Sequence, residues 1–368
     1  MKEKNKKQSK LFSDIIINGV ELKSRIGLAP MTRTSAEGNG VPNEKMRSYY
    51  SRYAKGGFSL LFSEGTYPDT AYSQGYLNQP GIATPEHING WRNITDAVHK
   101  EGAKMFCQIM HAGALSQGNI YTTETKAPSG ITPKGEQLEF YGGKGAYNTP
   151  TELSKNEIEQ VKQGFVKASE NAIKAGFDGI EIHGANGYLL DQFLTDYTNH
   201  REDEYGGSTE NRVRLLVEVC KEVRENVGKD FPVGIRISQA KVNDYTHKWN
   251  GGEKDAEIIF SQLGKCGLDF IHITEFQVEA PAFEENGPTL AYLAKKWAKL
   301  PVIANGSINT PEQAEKLITS KAVDVITMGK AALANKDWAL KAQRGEEMED
   351  FIPEKFFVPD AKIKEFEL

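Results

Sequence analysis

The sequence predicts a single (β/α)8 barrel, and two observations support this fold class. Short apolar segments alternate with longer helix-like segments from about residue 25 onward, and the alternation occurs eight times. Alternating strands and helices indicate parallel strands joined by crossover helices, and eight such units indicate a closed barrel. An open dinucleotide-binding sheet would carry Gly-x-Gly-x-x-Gly after its first strand, whereas this chain has Ala29-Pro-Met-Thr32 there.

Eight strand and helix pairs follow one another along the chain. Thr84 and Ser154 are suited to cap the second and third helices, and Gly176 is suited to end the third. The predicted strands are 25–30, 58–62, 103–110, 179–183, 232–237, 269–274, 301–304 and 323–328. The predicted helices are 43–55, 85–100, 155–175, 209–225, 253–265, 290–299, 311–320 and a last one from about residue 331.

Two segments fall outside this repeat. Residues 11–24 contain the Asn18-Gly19 pair and predict a β-hairpin before the barrel, where it would cover the apolar N-terminal end. Residues 112–153 form a long insertion, rich in Gly and Pro, after the third strand. A loop of this length is often functional. A lid over the catalytic face and a simple surface excursion both remain open for it.

Domain organisation and composition restrict the function further. We expect a disordered basic tail at 1–10, one barrel domain at 11–338 and a C-terminal extension at 339–368. The formal net charge of −5 argues against a nucleic-acid partner, and no apolar run is long enough to predict a membrane span.

The cysteines and the first residues indicate a compartment. Cys107, Cys220 and Cys266 are widely spaced, so we expect neither a disulfide framework nor a bound metal. The basic start lacks the apolar region of a signal peptide. A cytoplasmic protein fits these features, and a homo-oligomer is compatible with them.

Polar and small residues gather at the predicted carboxyl ends of the strands, where (β/α)8 barrels place their active sites. These are Thr32, Glu64, Gly65, Gln108, His111, His183, Asn186, Tyr188, Arg236, Asn305, Gly306, Ser307, Gly329 and Lys330. Two sets in this list match the phosphate site of many such barrels, namely residues 305–307 after strand seven and residues 329–330 after strand eight. Their small residues leave backbone N–H groups free. Glycine is also common at such turns without any ligand.

The remaining side chains each allow a structural and a functional interpretation. Arg236 would either pair with Glu181 or face an electron-rich group of a cofactor. Gln108 would make a structural hydrogen bond or recognise a planar amide edge. His183, Asn186 and Tyr188 would satisfy one another, bind a metal, or bind an oxyanion and donate a proton. A single histidine without a second ligand at helical spacing makes the metal site the weakest of these.

Three segments identify a resemblance. SRIGLAPMTR at 24–33, EIHGANGYLL at 181–190 and NHREDEYGGSTENR at 199–212 resemble the signature segments of the old yellow enzyme family. These enzymes are FMN-dependent NAD(P)H oxidoreductases built on one (β/α)8 barrel. The resemblance extends from about residue 11 to residue 338. Lys330 departs from it by replacing the usual arginine, and so does the tail after Trp338.

The resemblance implies a bound FMN with NAD(P)H as reductant. Thr32 would hydrogen-bond to flavin O4, Gln108 would hold the pyrimidine edge, and Arg236 would lie near N1 and O2. The residues lining the ring would be Ala29, Pro30, Met31 and Gly65, and those holding the phosphate would be Gly306, Ser307, Gly329 and Lys330.

It also implies the reaction. His183 and Asn186 would bind the oxygen of an α,β-unsaturated carbonyl or nitro compound, the β-carbon would receive hydride from flavin N5, and Tyr188 would donate the proton. NAD(P)H would reduce the flavin first at the same site, which predicts ping-pong kinetics. The alternatives are an FMN-binding sensor without catalysis, a phosphosugar enzyme without flavin, and a dienoyl-CoA reductase, for which the cysteine spacing is wrong.

Overall fold

The chain begins with the predicted hairpin. The structure is a computed structural model that describes residues 9–368. The first eight residues of the tail expected at 1–10 therefore lie outside the described part, whereas Lys10 already begins a short 3-10 turn. Strands β1 (Ile15–Ile17) and β2 (Val20–Leu22) pair antiparallel. Asn18 and Gly19 join them with φ angles of 41° and 79°, the left-handed conformation that such two-residue turns require.

The hairpin is followed by a closed parallel barrel, which confirms the predicted fold class. Ten further strands follow the hairpin: β3 (Ile26–Leu28), β4 (Leu60–Phe62), β5 (Lys104–Ile109), β6 (Lys126–Ala127), β7 (Thr151–Glu152), β8 (Gly179–Asn186), β9 (Val233–Lys241), β10 (Phe270–Thr274), β11 (Val302–Asn305) and β12 (Val325–Met328). The short pair β6 and β7 lies in the insertion. The other eight close the barrel in chain order, with β12 beside β3.

Twelve α-helices accompany the strands in the described part of the chain. They are α1 (Glu44–Lys55), α2 (Pro85–Lys100), α3 (Lys155–Lys174), α4 (Leu189–Leu194), α5 (Thr209–Arg212), α6 (Arg214–Val227), α7 (Glu253–Leu263), α8 (Leu290–Ala298), α9 (Pro311–Thr319), α10 (Lys330–Ala334), α11 (Trp338–Arg344) and α12 (Pro353–Phe357). The single helix predicted at 209–225 is divided into α5 and α6 at Val213. The helical hydrogen bonding nevertheless continues there, because Val213 N donates to Thr209 O and Val213 O accepts from Val217 N. Across residues 9–368, every helix is too short or too polar to span a bilayer.

Local sequence signals set the helix ends. The Thr84 side chain accepts a hydrogen bond from His87 N, and Pro85 occupies the first turn of α2. The Ser154 side chain caps α3 by accepting from Glu157 N. Gly176 follows α3 with a φ of 80°, so the chain leaves the helix in a conformation that glycine adopts without strain. These predicted caps are confirmed.

The hairpin covers the barrel end opposite the candidate site. Ile17 and Leu22 pack against the buried interior residues Leu60, Phe62, Phe106, Phe270, Ile303 and Val325. Burying these apolar side chains removes them from water and fills the barrel, so the interior is a packed core. The predicted role of the hairpin is therefore confirmed.

Strands β8 and β9 extend further toward the carboxyl face than the predicted 179–183 and 232–237. Their pairing continues to Asn186 opposite Lys241 after a register shift between Gly184 and Asn186. The prediction followed apolar runs, but hydrogen bonding between the two strands carries them into a polar segment. His183 ends the predicted strand, and the extension places Asn186 on the same strand instead of a loop.

Candidate active site

The end of β8 and the turn after it carry the candidate catalytic side chains. Asn186 and Gly187 both adopt left-handed backbone conformations, with φ angles of 62° and 86°. Asn186 N donates to Ser238 Oγ at 2.8 Å, and Gly187 N donates to Asp191 Oδ2 at 2.6 Å. Lys241 Nζ lies 2.9 Å from both oxygens of Asp191, and both side chains are buried. A buried ion pair thus anchors the turn.

His183, Asn186 and Tyr188 do not satisfy one another. His183 Nδ1 is buried without a hydrogen-bond partner among the described residues, although the His183 and Tyr188 ring centroids are 5.2 Å apart. Burial, and then the charges of Arg236 and His272, lower the pKa of His183 well below its usual value. The imidazole is therefore neutral near pH 7, and its free nitrogen remains available to a ligand.

Tyr188 belongs to a cluster of tyrosines. Its hydroxyl oxygen lies 2.6 Å from that of Tyr76, which comes from the loop between β4 and α2. Tyr141 and Tyr147, both from the insertion, pack in the same place, and the Tyr76 and Tyr141 ring centroids are 4.5 Å apart. Tyr141 also donates to Thr32 O at 3.1 Å. The insertion therefore contributes side chains to the site.

A buried polar network lies inside the barrel beside this cluster. Gln108 Nε2 donates to Glu181 Oε1 at 2.8 Å. The side-chain nitrogen of Gln108 therefore makes the structural hydrogen bond that was one of its two predicted roles. Glu181 Oε2 lies 2.6 Å from His272 Nδ1, and His272 Nε2 lies 2.8 Å from Thr327 Oγ1. The side-chain oxygen of Gln108, Oε1, accepts no hydrogen bond from residues 9–368, so it can still receive one from a ligand.

Arg236 is a buried cation without a paired anion. Its Nη2 donates to Asn305 Oδ1 at 3.0 Å, and Nε has no partner in the described chain. The alternative ion pair with Glu181 does not form, because Glu181 is bonded to Gln108 and His272. Burial lowers the pKa of Arg236 to about 10 despite the charge of Glu181. An electron-rich ligand group would meet this unsatisfied donor.

The four predicted phosphate-binding residues lie together after the adjacent strands β11 and β12. The backbone N–H groups of Gly306, Ser307 and Gly329 donate to no acceptor within residues 9–368. Gly306 must remain glycine, because its φ is 146° and a Cβ would lie 2.1 Å from Glu275 O. Lys330 is exposed, with Nζ 5.4 Å from the centroid of the Phe276 ring.

The residues predicted to line the ring lie between these groups. Ala29 N donates to Met328 O, and a Cβ on Gly329 would lie 3.3 Å from Met31 Sδ, so residues 29–32 border the end of β12. Pro30, Met31 and Thr32 remain partly exposed at the mouth. A Cβ on Gly65 would lie 2.6 Å from Met110 Sδ, which keeps that position small.

These features fit a flavin nucleotide. Free N–H groups suit a phosphate, an unpaired arginine suits the electron-rich side of a ring system, and the unpartnered imidazole suits a second ligand. Within residues 9–368 no group of three or more His, Cys, Asp or Glu could hold a metal ion. Cys107, Cys220 and Cys266 are all free and buried.

Several residues of this site are not predicted by the sequence. Tyr76, Tyr141 and Tyr147 were absent from the prediction, as were His272 and the Asp191–Lys241 pair. A signal was present for the three tyrosines, because Tyr76 follows β4 and the other two lie in the insertion after β5, and long loops after barrel strands lie on the catalytic face. No pattern in the sequence connects His272 or the Asp191–Lys241 pair with the site.

Comparisons with known proteins agree with this geometry. The model of the NADH:flavin oxidoreductase / NADH oxidase family matches residues 10–349. A probable flavin mononucleotide-dependent alkene reductase of Leishmania infantum is 34% identical over 357 residues, which cover 94% of each chain. An NADH oxidase of Thermoanaerobacter brockii is 34% identical over 348 residues, and the match covers 92% of this chain but only 51% of that protein.

A solved structure shows the same architecture. The old yellow enzyme homologue from Zymomonas mobilis superimposes with a TM-score of 0.85 and 32% identity, covering 94% of this chain and 95% of the other. The chain therefore belongs to the NADH:flavin oxidoreductase / NADH oxidase family, the old yellow enzymes, and is an FMN-dependent flavin oxidoreductase that uses NAD(P)H.

Proposed function

We propose that the protein reduces the activated C=C bond of α,β-unsaturated carbonyl or nitro compounds, with NAD(P)H and the substrate reacting in turn at one site. The observation that carries this proposal is the pairing of an unpartnered His183 imidazole with a Tyr188 phenol whose ring is 5.2 Å away. A hydrogen-bond donor beside a proton donor suits a substrate whose oxygen gains negative charge while its carbon gains a proton.

The cofactor is held by the residues with free donors and small side chains. Bound FMN supplies the hydride that it takes from NAD(P)H. Arg236 would face its electron-rich ring edge, Gln108 would accept from the pyrimidine edge, and Thr32 would bond to O4. The ring would touch Ala29, Pro30, Met31 and Gly65, and the phosphate would contact Gly306, Ser307, Gly329 and Lys330.

His183 and Asn186 bind the substrate oxygen. The depressed pKa of His183 leaves a neutral imidazole with one N–H, and Asn186 provides a side-chain N–H on the same strand. Two donors on one oxygen polarise the conjugated system and stabilise the charge that develops there. A neutral imidazole avoids placing a second full positive charge beside Arg236.

Tyr188 supplies the proton. Burial raises its pKa to about 12, so the phenol keeps its proton at neutral pH until a strongly basic carbon forms. The hydroxyl of Tyr76, 2.6 Å away, can donate to the phenolate that remains after transfer. Tyr141 and Tyr147 of the insertion cover the same cluster, and we assign them the role of a lid that keeps water from the reacting carbon.

Anaerobic turnover of 2-cyclohexenone in D₂O tests the function. We expect the purified holoenzyme with NADH or NADPH to form cyclohexanone carrying one solvent deuterium at the α-carbon, because the exchangeable Tyr188 proton is delivered there. Gas chromatography with mass detection measures the amount of cyclohexanone formed and its deuterium content. Oxidation of NAD(P)H without any saturated ketone would contradict the proposal while leaving the flavin oxidoreductase family intact.

A further inference from the structure

The C-terminal tail, residues 350–368, lies beyond the family match, which ends at residue 349. It nevertheless folds back onto the mouth of the barrel. Helix α12 and a 3-10 turn at Glu365–Glu367 give it ordered structure, and Phe356 and Ile363 are buried in the main core. The tail is therefore packed as part of the barrel.

The tail binds the loop that follows β3 through a buried ion pair. Arg33 Nη1 and Nη2 lie 2.5 and 2.6 Å from the two oxygens of Glu367, and both side chains are fully buried. Arg33 Nε donates to Ala361 O at 2.9 Å, and Nη2 donates to Lys362 O at 3.3 Å. A buried guanidinium needs such complete pairing, since an unpaired charge is strongly unfavourable there.

The same loop is held in a strained conformation. Thr34 has a φ of 42°, which is unusual for a β-branched residue. Tail residue Ile363 donates its N–H to Ser35 Oγ at 2.8 Å. From the barrel side, Glu64 Oε2 accepts from the N–H groups of Arg33 at 2.9 Å and Thr34 at 3.1 Å. Contacts from two sides therefore fix the residues directly after Thr32.

The tail also supports the insertion. The Phe140 and Phe357 ring centroids are 5.3 Å apart, and Ala361 N donates to Phe140 O at 2.8 Å. The next residue, Tyr141, donates to Thr32 O and packs on Tyr76. Both routes from the tail thus end at Thr32, one through Arg33 and one through Tyr141.

We propose that the C-terminal tail is a positioning element of the flavin site, with Glu367 acting through Arg33 and Phe357 acting through Phe140 to hold Thr32 in place. The proposal rests on the proposed function only in assigning Thr32 to the flavin. Glu367 and Phe357 act without touching cofactor or substrate themselves.

Glu367→Gln tests this role, and Glu365→Gln is its matched control. Glu365 lies on the same tail but is 86% exposed and pairs only with Lys45 at 3.0 Å. Glutamine keeps the shape of Glu367 but leaves Arg33, and Arg52 at 3.5 Å, without a buried counter-charge. We expect the Glu367→Gln holoenzyme to show a shifted visible flavin spectrum and roughly tenfold weaker FMN binding well below its unfolding temperature. Glu365→Gln should match wild type in both.

The result that overturns the proposal is a Glu367→Gln protein with a lowered thermal midpoint but unchanged flavin spectrum and FMN affinity, because that is a purely structural role. If Glu367→Gln fails to fold, Phe357→Leu is measured in the same way. A spectrum and affinity like wild type for that variant would equally contradict the proposal. None of these measurements uses an enone. They therefore test the role of the tail even if the wild-type protein does not reduce enones.

Discussion

Tyr76 and Tyr188 share a buried hydrogen bond of 2.6 Å between their hydroxyl oxygens. Burial raises the pKa of Tyr188 to about 12, and the hydrogen bond from Tyr76 acts in the opposite direction. A neighbouring hydroxyl stabilises a phenolate more than a neutral phenol, because bonds to charged groups are stronger. Tyr76 therefore makes Tyr188 a stronger acid than burial alone would allow.

Tyr76→Phe should slow proton donation without affecting reduction of the flavin. The loss of one hydrogen bond to a developing anion is expected to reduce the rate of enone reduction roughly tenfold. Stopped-flow mixing of the reduced enzyme with 2-cyclohexenone measures that rate. Tyr147→Phe is the control, since its hydroxyl is in the same cluster without a bond to Tyr188. Equal slowing in both variants would contradict a specific role for Tyr76.

A second single residue, the buried Glu64, makes the free energy of unfolding depend on pH. Burial raises its pKa from 4.5 to about 7, although the N–H groups and charge of Arg33 oppose the shift. Between pH 4.5 and 7 the unfolded chain has lost a proton that the folded protein retains, so the free energy of unfolding falls as pH rises through this window. This shift corresponds to roughly 3 kcal/mol.

Glu64→Gln should remove that part of the pH dependence. Glutamine cannot titrate, and its carbonyl oxygen can still accept from the N–H groups of Arg33 and Thr34. Denaturant unfolding of both proteins at pH 5 and pH 8 measures the difference. We expect wild type to lose more stability than the variant over this interval. Parallel losses in the two proteins would show that Glu64 is ionised throughout.

At the scale of elements, the extended pair β8 and β9 positions the proposed catalytic residues. The strands run past their apolar segments to the Asn186 and Lys241 pairing, and the following turn has two left-handed residues in succession. Such a turn is unfavourable on its own and needs support from its surroundings. Asp191 provides that support by accepting from Gly187 N while it pairs with Lys241.

Asp191→Asn should therefore weaken both stability and substrate binding. The buried Lys241 would lose its counter-charge, which typically lowers the free energy of unfolding by about 3–5 kcal/mol. We also expect a higher KM for the enone, because the turn carries Asn186, with little change in flavin reduction by NAD(P)H. Glu204→Gln, which breaks the exposed Lys155–Glu204 pair, serves as the control. Unchanged KM with lowered stability would reduce Asp191 to a purely structural residue.

At the scale of the whole molecule, local signals were sufficient to predict the fold. Each barrel strand contains one of the apolar runs. Thr84, Ser154 and Gly176 set helix ends through contacts within a few residues. The strand ends also brought the predicted site residues to one mouth, because a closed parallel barrel leaves no other place for them.

What the sequence could not predict depends on contacts between distant segments. Arg33 and Glu367 are more than 300 residues apart along the chain, and nothing near either residue indicates the other. The same holds for Tyr76 with Tyr188, and for the choice of His272 over Arg236 as the partner of Glu181. Pairings of this kind are decided by the assembled barrel and not by local propensity.

The central claim is that Tyr188 donates the proton in substrate reduction and has no part in loading the flavin. Anaerobic stopped-flow of wild type and Tyr188→Phe tests it by following flavin absorbance, first with NADH or NADPH and then with 2-cyclohexenone. We expect bleaching by the nucleotide at similar rates in both proteins, and reoxidation by the enone slowed roughly 10²–10⁴-fold in the variant. Equal slowing of both steps, or reoxidation of the variant at the wild-type rate, would contradict the claim.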